Sequence, residues 1–179
     1  MQSFSIKLNK SIQRPAFNIY NNKVMALLDT GALFPVWTAD EEILLSQFKA
    51  KLYKKNVEFG GFGGKALGDL YIIPILEIGQ LIFNNIPIIV SKDLGDVTYS
   101  LIISATMFEG LIYEINTVHN YFKITIPDNE SNIRNLKIID NNGRMHILCQ
   151  SETDGKENIK LTEEDIQANY INTLIKNDK

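Results

Sequence analysis

The feature that most constrains this chain is a carboxylate placed at the end of an apolar run. Residues 24–37 read VMALLDTGALFPVW, and no lysine, arginine or histidine stands within five positions of Asp29 on either side. An ionised carboxylate that leaves water without a partner is strongly destabilised, so such a group either takes up a proton or has a specific role. The rest of the sequence should therefore indicate which of these two explanations applies to Asp29.

Up to about residue 126 the chain has the pattern of short β-strands. Residues 17–29 predict two strands around Asn21-Asn22, because asparagine tolerates turn conformations. The β-branched runs 67–79 and 81–91 are separated by Gly79-Gln80, and each contains a proline, which favours an edge or a bulge. Residues 38–48, with acidic side chains in the first turn, are the one helical candidate of this region.

The composition changes after Pro127. Residues 136–149 predict a hairpin with Asn142-Gly143 at its turn. Residues 161–176 predict an amphipathic helix that begins at Thr162 and carries an apolar face, Ile166, Tyr170 and Leu174. We therefore divide the chain into a core domain, 1–126, and a C-terminal extension, 128–179.

Composition excludes several classes of function. Of 179 residues 45% are hydrophobic and 22% charged, which is ordinary for a globular domain with a core. The net charge of −3 favours neither nucleic acid nor a membrane as partner. The single cysteine fits a reducing compartment, and the N-terminal segment lacks the apolar stretch of a signal peptide. We expect a soluble, cytoplasmic protein.

A glycine-rich segment is the second unusual feature. Four glycines at positions 60, 61, 63 and 64 flank Phe62 between two strand-like runs, which predicts a hairpin tip with accessible backbone amides. A phosphate-binding loop would need a glycine in place of Phe59 and a hydroxyl in place of Ala66. The spacing also fails the dinucleotide fingerprint, and by itself the segment is equally typical of a loose hairpin.

Taken in order along the chain, these pieces resemble the retropepsins, the single-domain aspartic proteases of the retroviral type. The resemblance covers residues 4–126 and rests on ALLDTGA around Asp29, the glycine segment some thirty residues later, and LIISATMFEGLIYEI at 101–115. It implies an all-β fold, a retropepsin-like closed β-barrel, here followed by a β-hairpin and an α-helix.

The resemblance also implies an aspartic endopeptidase that acts as a homodimer, because one chain supplies only one Asp-Thr-Gly motif. Asp29 would meet its copy from the second subunit, and the two carboxylates would hold one proton between them and activate water. Thr30 would hydrogen-bond across the dimer, and Gly31 would let the substrate backbone come close. No cofactor or metal is implied. The alternative is an inactive retropepsin-like module for dimerisation or peptide binding.

The resemblance implies a peptide or protein substrate, and the apolar residues among its contacts favour an extended, mainly hydrophobic segment. The cleavage sequence and the natural target stay open. The residues that we expect to contact the substrate are Ala32, Leu33, Val36, Gly60, Gly61, Phe62, Gly63 and Ile102.

The chain departs from the retropepsin pattern at three positions. Ser104 stands where these enzymes usually have glycine, and Ala105 stands where an arginine often follows. The aspartate that pairs with this arginine is Leu33 here, so both partners are missing together and no orphan charge is left.

Two other chemistries are disfavoured. Ser104 lacks the glycines of a nucleophile elbow, which argues against a serine hydrolase. His146 and Cys149 could form a metal pair, but with only His119 besides and no second cysteine, strand packing is the favoured interpretation.

Overall fold

The computed structural model describes residues 1–10, 14–21, 23–61, 64–91, 99–141 and 144–152. Strands make up most of this part, which confirms the all-β class, and its one α-helix is α1 (Glu41–Phe48). Within the same ranges no helix has the length and apolar character needed to cross a membrane. The predicted helix 161–176, with Thr162, Ile166, Tyr170 and Leu174, lies outside the described residues.

The strands are β1 (Gln2–Lys7), β2 (Ala16–Ile19), β3 (Val24–Asp29), β4 (Val36–Trp37), β5 (Lys51–Gly61), β6 (Gly64–Ile78), β7 (Leu81–Ser91), β8 (Leu101–Ser104), β9 (Ile112–Asn116), β10 (Tyr121–Ile126), β11 (Ile133–Asn141) and β12 (Arg144–Ser151).

The strands form two sheets. The smaller sheet has the order β1-β10-β9, and both of its pairings are antiparallel. The larger sheet runs β12-β11-β7-β4-β8-β3-β2, and β6 and β5 extend it from β7. A short 3₁₀ turn, Ala105–Phe108, follows β8 directly.

Aromatic side chains connect the two sheets. The ring of Phe122 in β10 stacks on Phe17 of β2, with 5.5 Å between the ring centroids. Phe108 of the 3₁₀ turn meets the same Phe122 ring edge-on at 5.5 Å. All three side chains are buried, and such aromatic contacts add stability beyond the area that they bury. The hydrophobic core therefore lies between the sheets.

The helix α1 confirms the helical prediction for residues 38–48. Its N-cap is Asp40, whose carboxylate accepts a hydrogen bond from the backbone amide of Glu42 at 2.9 Å. Leu44 and Phe48 face the core, and the indole of Trp37 donates to the carbonyl of Asp40 at 3.0 Å. The helix is thereby fixed to the end of β4.

The predicted C-terminal hairpin is also confirmed, and it joins the larger sheet. β11 and β12 pair antiparallel on either side of residues 142–143, and β11 runs parallel to β7 from Ile133 opposite Ile82. Its core-facing apolar side chains are buried in the same hydrophobic core as the preceding strands: Leu136, Ile138, Ile147 and Cys149.

Candidate active site

Asp29 ends β3 at a point where three strands meet. β8 lies between β3 and β4, parallel to the first and antiparallel to the second. Asp29 is directly opposite Ser104, and Ile102 lies between Leu27 on one side and Val36 on the other. Asp29 at the end of β3 and Val36 at the start of β4 are thus both held by β8. This fixes both ends of the loop that carries Thr30 and Gly31.

The three strands have one core face and one face that carries the site. Alternate residues of a strand point to opposite faces, and directly opposite residues share a face. The core face is formed by Ala26, Leu28, Trp37, Leu101 and Ile103, all of which are buried. The second face carries Leu27, Val36 and Ile102 in one row, with Asp29 and Ser104 beyond it. Asp29 therefore projects from an apolar row on the face opposite to the core.

The carboxylate of Asp29 is half-buried and is oriented by its own loop. The backbone amide of Gly31 donates to Oδ1 of Asp29 at 2.8 Å, the Asx-turn geometry that aspartate favours. The amide of Ala32 donates to the carbonyl of Asp29 at 3.3 Å, which closes the turn. Within the described ranges no cationic group forms an ion pair with Asp29, and Oδ2 accepts no hydrogen bond. The carboxylate is thus held on one oxygen, while the other is available for chemistry.

The side chain of Ser104 is hydrogen-bonded to this loop. Its side chain is fully buried, and its hydroxyl donates to the carbonyl oxygen of Ala32 at 2.6 Å. A serine hydroxyl has a single proton, so the hydroxyl of Thr106, 2.6 Å away, is the donor in the second contact. The backbone amide of Thr106 donates to Oγ of Ser104 at 3.3 Å. Ser104 thus ties the Asp29 loop to the 3₁₀ turn.

We expect Ser104→Ala to destabilise the protein by about 1–3 kcal/mol, because it removes a fully buried hydroxyl and leaves the carbonyl of Ala32 without its donor. Urea unfolding measures the effect. Ser5→Ala, which removes an exposed serine hydroxyl from β1, is the control and should change stability by less than about 0.5 kcal/mol. Equal stabilities of the Ser104→Ala and Ser5→Ala variants would show that the hydroxyl contacts do not matter.

The glycine segment lies at the end of a long hairpin, as predicted. β5 and β6 pair from Lys51 opposite Ile72 to Gly61 opposite Gly64. β6 pairs with β7 as far as Gly68, which lies opposite Ser91 at the end of β7, and the described residues 57–61 of β5 and 64–67 of β6 pair with each other as a ribbon. The base of the ribbon is separated from β3 by β7, β4 and β8 in the sheet order. Phe62 and Gly63, two of the predicted substrate contacts, lie outside the described residues.

Gly68 marks the base of the ribbon and leaves no room for a side chain. A Cβ atom there would lie 2.6 Å from Cγ2 of Ile89 and 2.7 Å from the carbonyl oxygen of Val90. Because one of these atoms belongs to the backbone of β7, it cannot move aside without disturbing the strand pairing. Gly68 thereby allows β6 to lie close against β7 at the point where the ribbon begins.

We expect Gly68→Ala to destabilise the protein by about 1–3 kcal/mol through overpacking. Thermal or urea unfolding measures the loss. Leu67→Ala, which truncates a side chain that is 54% exposed at the adjacent position, should stay within about 0.5 kcal/mol of the wild type. A fully stable Gly68→Ala variant would contradict the close approach of the two strands.

The structure brings most of the predicted residues together. Thr30 and Gly31 are exposed, Ala32 is half-buried and Leu33 is 50% exposed, all in the loop after Asp29. Val36 and Ile102 are neighbours on the same face, although Val36 is only 9% exposed. Gly60 and Gly61 are in β5 opposite Lys65 and Gly64, at the far end of the ribbon.

Sequence reasoning missed two residues of this region. Leu27 completes the apolar row, and its position two residues before Asp29 in a strand is the signal that could have revealed it. The contact between Thr106 and Ser104 has no comparable signal, because it depends on the 3₁₀ turn.

The structure also bears on the disfavoured metal pair. Cys149 is buried and its thiol donates to the carbonyl of Met107 at 3.2 Å, which agrees with packing rather than metal binding. The side chain of His146 lies outside what the structure describes. Among the described residues no three His, Cys, Asp or Glu side chains are grouped as metal ligands.

No model of a known protein family matches this chain, and a search of curated proteins finds no match. The fold and the geometry of the site therefore carry the functional argument.

Proposed function

We propose that this protein is a retropepsin-like aspartic endopeptidase, in which Asp29 from each of two subunits activates water for peptide hydrolysis. The observation that carries the proposal is the state of the Asp29 carboxylate. It is half-buried at the end of an apolar strand, held by the amide of Gly31 and without an ion-pair partner in the described ranges. A catalytic carboxylate needs an oxygen that is available to take a proton from water, and Oδ2 of Asp29 meets this requirement.

The surrounding geometry supports this function. The loop of Asp29 is anchored at both ends to β8, and Ser104 holds it from below, so the carboxylate has a rigid support. In the apolar row beside it, Ile102 is partly exposed and offers hydrophobic surface for a peptide side chain, whereas Leu27 and Val36 are buried on either side of it. The glycine-tipped ribbon of β5 and β6 would act as the flap over the bound peptide.

We further propose that the two sheets belong to a retropepsin-like closed barrel and that the active form is a homodimer. One chain contributes one Asp-Thr-Gly motif, so a two-carboxylate mechanism requires a second copy on a two-fold axis. A cytoplasmic location is proposed on the single cysteine, which is a free and buried thiol.

The mechanism follows from two carboxylates at close range. They cannot both be ionised, so the pair shares one proton. The ionised member takes a proton from water while the protonated member donates a hydrogen bond to the scissile carbonyl oxygen. The available Oδ2 of Asp29 is the atom suited to this proton transfer, since the amide of Gly31 already occupies Oδ1.

Digestion of a peptide library tests the proposal. The wild-type protein is incubated with the library from about pH 3 to pH 7, and cleaved bonds are identified by mass spectrometry. We expect cleavage within apolar segments and inhibition by a peptide whose scissile carbonyl is replaced by a tetrahedral hydroxyl-bearing carbon. Peptide binding without cleavage at any of these pH values would contradict the protease and support the inactive binding module.

A further inference from the structure

The hairpin of β11 and β12 contacts the 3₁₀ turn through two side chains. The thiol of Cys149 in β12 donates to the carbonyl of Met107 at 3.2 Å, and Nη2 of Arg134 in β11 donates to the carbonyl of Glu109. Met107 and Phe108 are buried between these two contacts. Both acceptors are carbonyls at the end of a short helical turn, where intrahelical donors run out. The hairpin therefore supplies donors that the turn itself lacks.

Arg134 occupies a position where the strand pattern calls for an apolar residue. It shares the core-facing side of β11 with Leu136 and Ile138, and only 1% of it is exposed. Its Nη1 pairs with the carboxylate of Glu130 at 2.5 Å. A buried guanidinium is retained only with such partners, and here its second nitrogen is directed to the backbone of the turn.

The carboxylate of Glu130 lies against Gly110, two residues after the turn. Gly110 has a φ of +80°, and a Cβ atom there would lie 2.7 Å from Oε1 of Glu130. Gly110 thus allows Glu130 to lie directly against the backbone, beside the carbonyl that Arg134 binds. Buried Arg134 and partly exposed Glu130 form an ion pair that lies against residues 109–110.

The turn transmits this support to the Asp29 loop. Ser104 is the residue before the turn and accepts the amide hydrogen of Thr106, so it is part of the same rigid unit. The same Ser104 hydroxyl donates to the carbonyl of Ala32. A displacement of the turn would therefore move the group that holds the loop of Asp29.

We propose that the β11–β12 hairpin is a positioning element of the active site, in which Arg134 and Cys149 hold the 3₁₀ turn and thereby the loop of Asp29. The inference rests on the proposed protease function for its catalytic consequence, but the mechanical connection is independent of it. Burial raises the pKa of Cys149, against an opposing effect of nearby Arg134, so the group remains a protonated thiol that can donate.

The first test compares Cys149→Ala with Cys149→Ser in the full chain. Alanine removes the donor to Met107, whereas serine keeps a donor at the same position. We expect kcat to fall by about threefold to thirtyfold in Cys149→Ala with little change in KM, because the loop is misplaced rather than the substrate surface lost. Cys149→Ser should recover most of this loss. Gln150→Ala, at the exposed neighbouring position, is the matched control and should leave kcat unchanged.

The second test uses hydrogen exchange, which does not depend on activity. In Cys149→Ala and in Arg134→Lys, which keeps the charge near Glu130 but not the forked donors, we expect faster exchange at the amides of Gly31, Ala32 and Thr106. Exchange in β5, which pairs only with β6 in the described sheets, should not change. If the wild type cleaves no peptide but these amides respond, the protease proposal fails and the positioning role stands.

The proposal is overturned if exchange of the Gly31 and Ala32 amides is unchanged in both variants. It is equally overturned if both Cys149 variants lose kcat to the same extent, since a hydrogen-bond donor would then be irrelevant. Loss of stability in Cys149→Ala with wild-type kcat per folded molecule would reduce the hairpin to a structural role and would also count against it.

Discussion

Replacing Asp29 with asparagine is expected to reduce the rate of peptide cleavage by about 10²- to 10⁴-fold, the range that general acid–base catalysis contributes. An amide can neither take a proton from water nor hold the shared proton of the pair. The fold should persist, because the amide oxygen of asparagine can still accept the hydrogen bond from Gly31. The measurement is the initial rate of cleavage of a peptide found in the library, alongside the unfolding midpoint of each protein.

The matched control for this variant is Glu42→Gln, the same carboxylate-to-amide change at an exposed position in the first turn of α1. It removes one unit of negative charge without touching the site, so its cleavage rate should equal that of the wild type. An Asp29→Asn variant that is folded and cleaves at the wild-type rate would rule out the proposed mechanism.

Mixing wild-type and Asp29→Asn subunits should reduce activity as the square of the wild-type fraction. In a mixed dimer one member of the carboxylate pair is an amide, so only dimers with two wild-type subunits would be active. After subunit exchange, an equal mixture at constant total protein should retain about one quarter of the activity rather than one half. Cleavage rates over a series of mixing ratios distinguish the two dependences.

Mixtures of wild type with Glu42→Gln control for this experiment and should show constant activity at every ratio. A linear dependence on the wild-type fraction in the Asp29→Asn series would mean that each chain works alone. The two-subunit site would then be wrong even if the protein is a protease.

Much of the secondary structure could be predicted because its signals are local. The turn Gly79-Gln80 separates β6 from β7, and the pattern around residues 142–143 separates β11 from β12. The two prolines, predicted to mark an edge or a bulge, lie where one side of the strand is locally unpaired, although β7 itself is an interior strand. Pro74 lies beyond the last β5 pairing of β6, and Pro87 lies between the segments of β7 that pair with β11 and β4. At each proline the strand needs no backbone donor toward a second neighbour.

The site was only partly predictable, since its members come from distant parts of the chain. Asp29 and the glycine segment stood out as violations of local expectation, a carboxylate in an apolar run and four glycines in a strand-like region. Ser104 could be seen only as a departure from the retropepsin pattern. Its hydroxyl contacts with Ala32 and Thr106 could not be predicted, because they depend on the parallel pairing of β3 with β8.

The sequence by itself determined most of the β-strands, the helix α1, the hairpins and the identity of the unusual carboxylate, because periodicity, capping and turn residues act over a few positions. Only the tertiary structure decided that β8 lies between β3 and β4, that Arg134 is buried and that the C-terminal hairpin contacts the turn beside Ser104. These depend on which distant strands pair. Such pairing is selected by the burial of the whole core rather than by any local pattern.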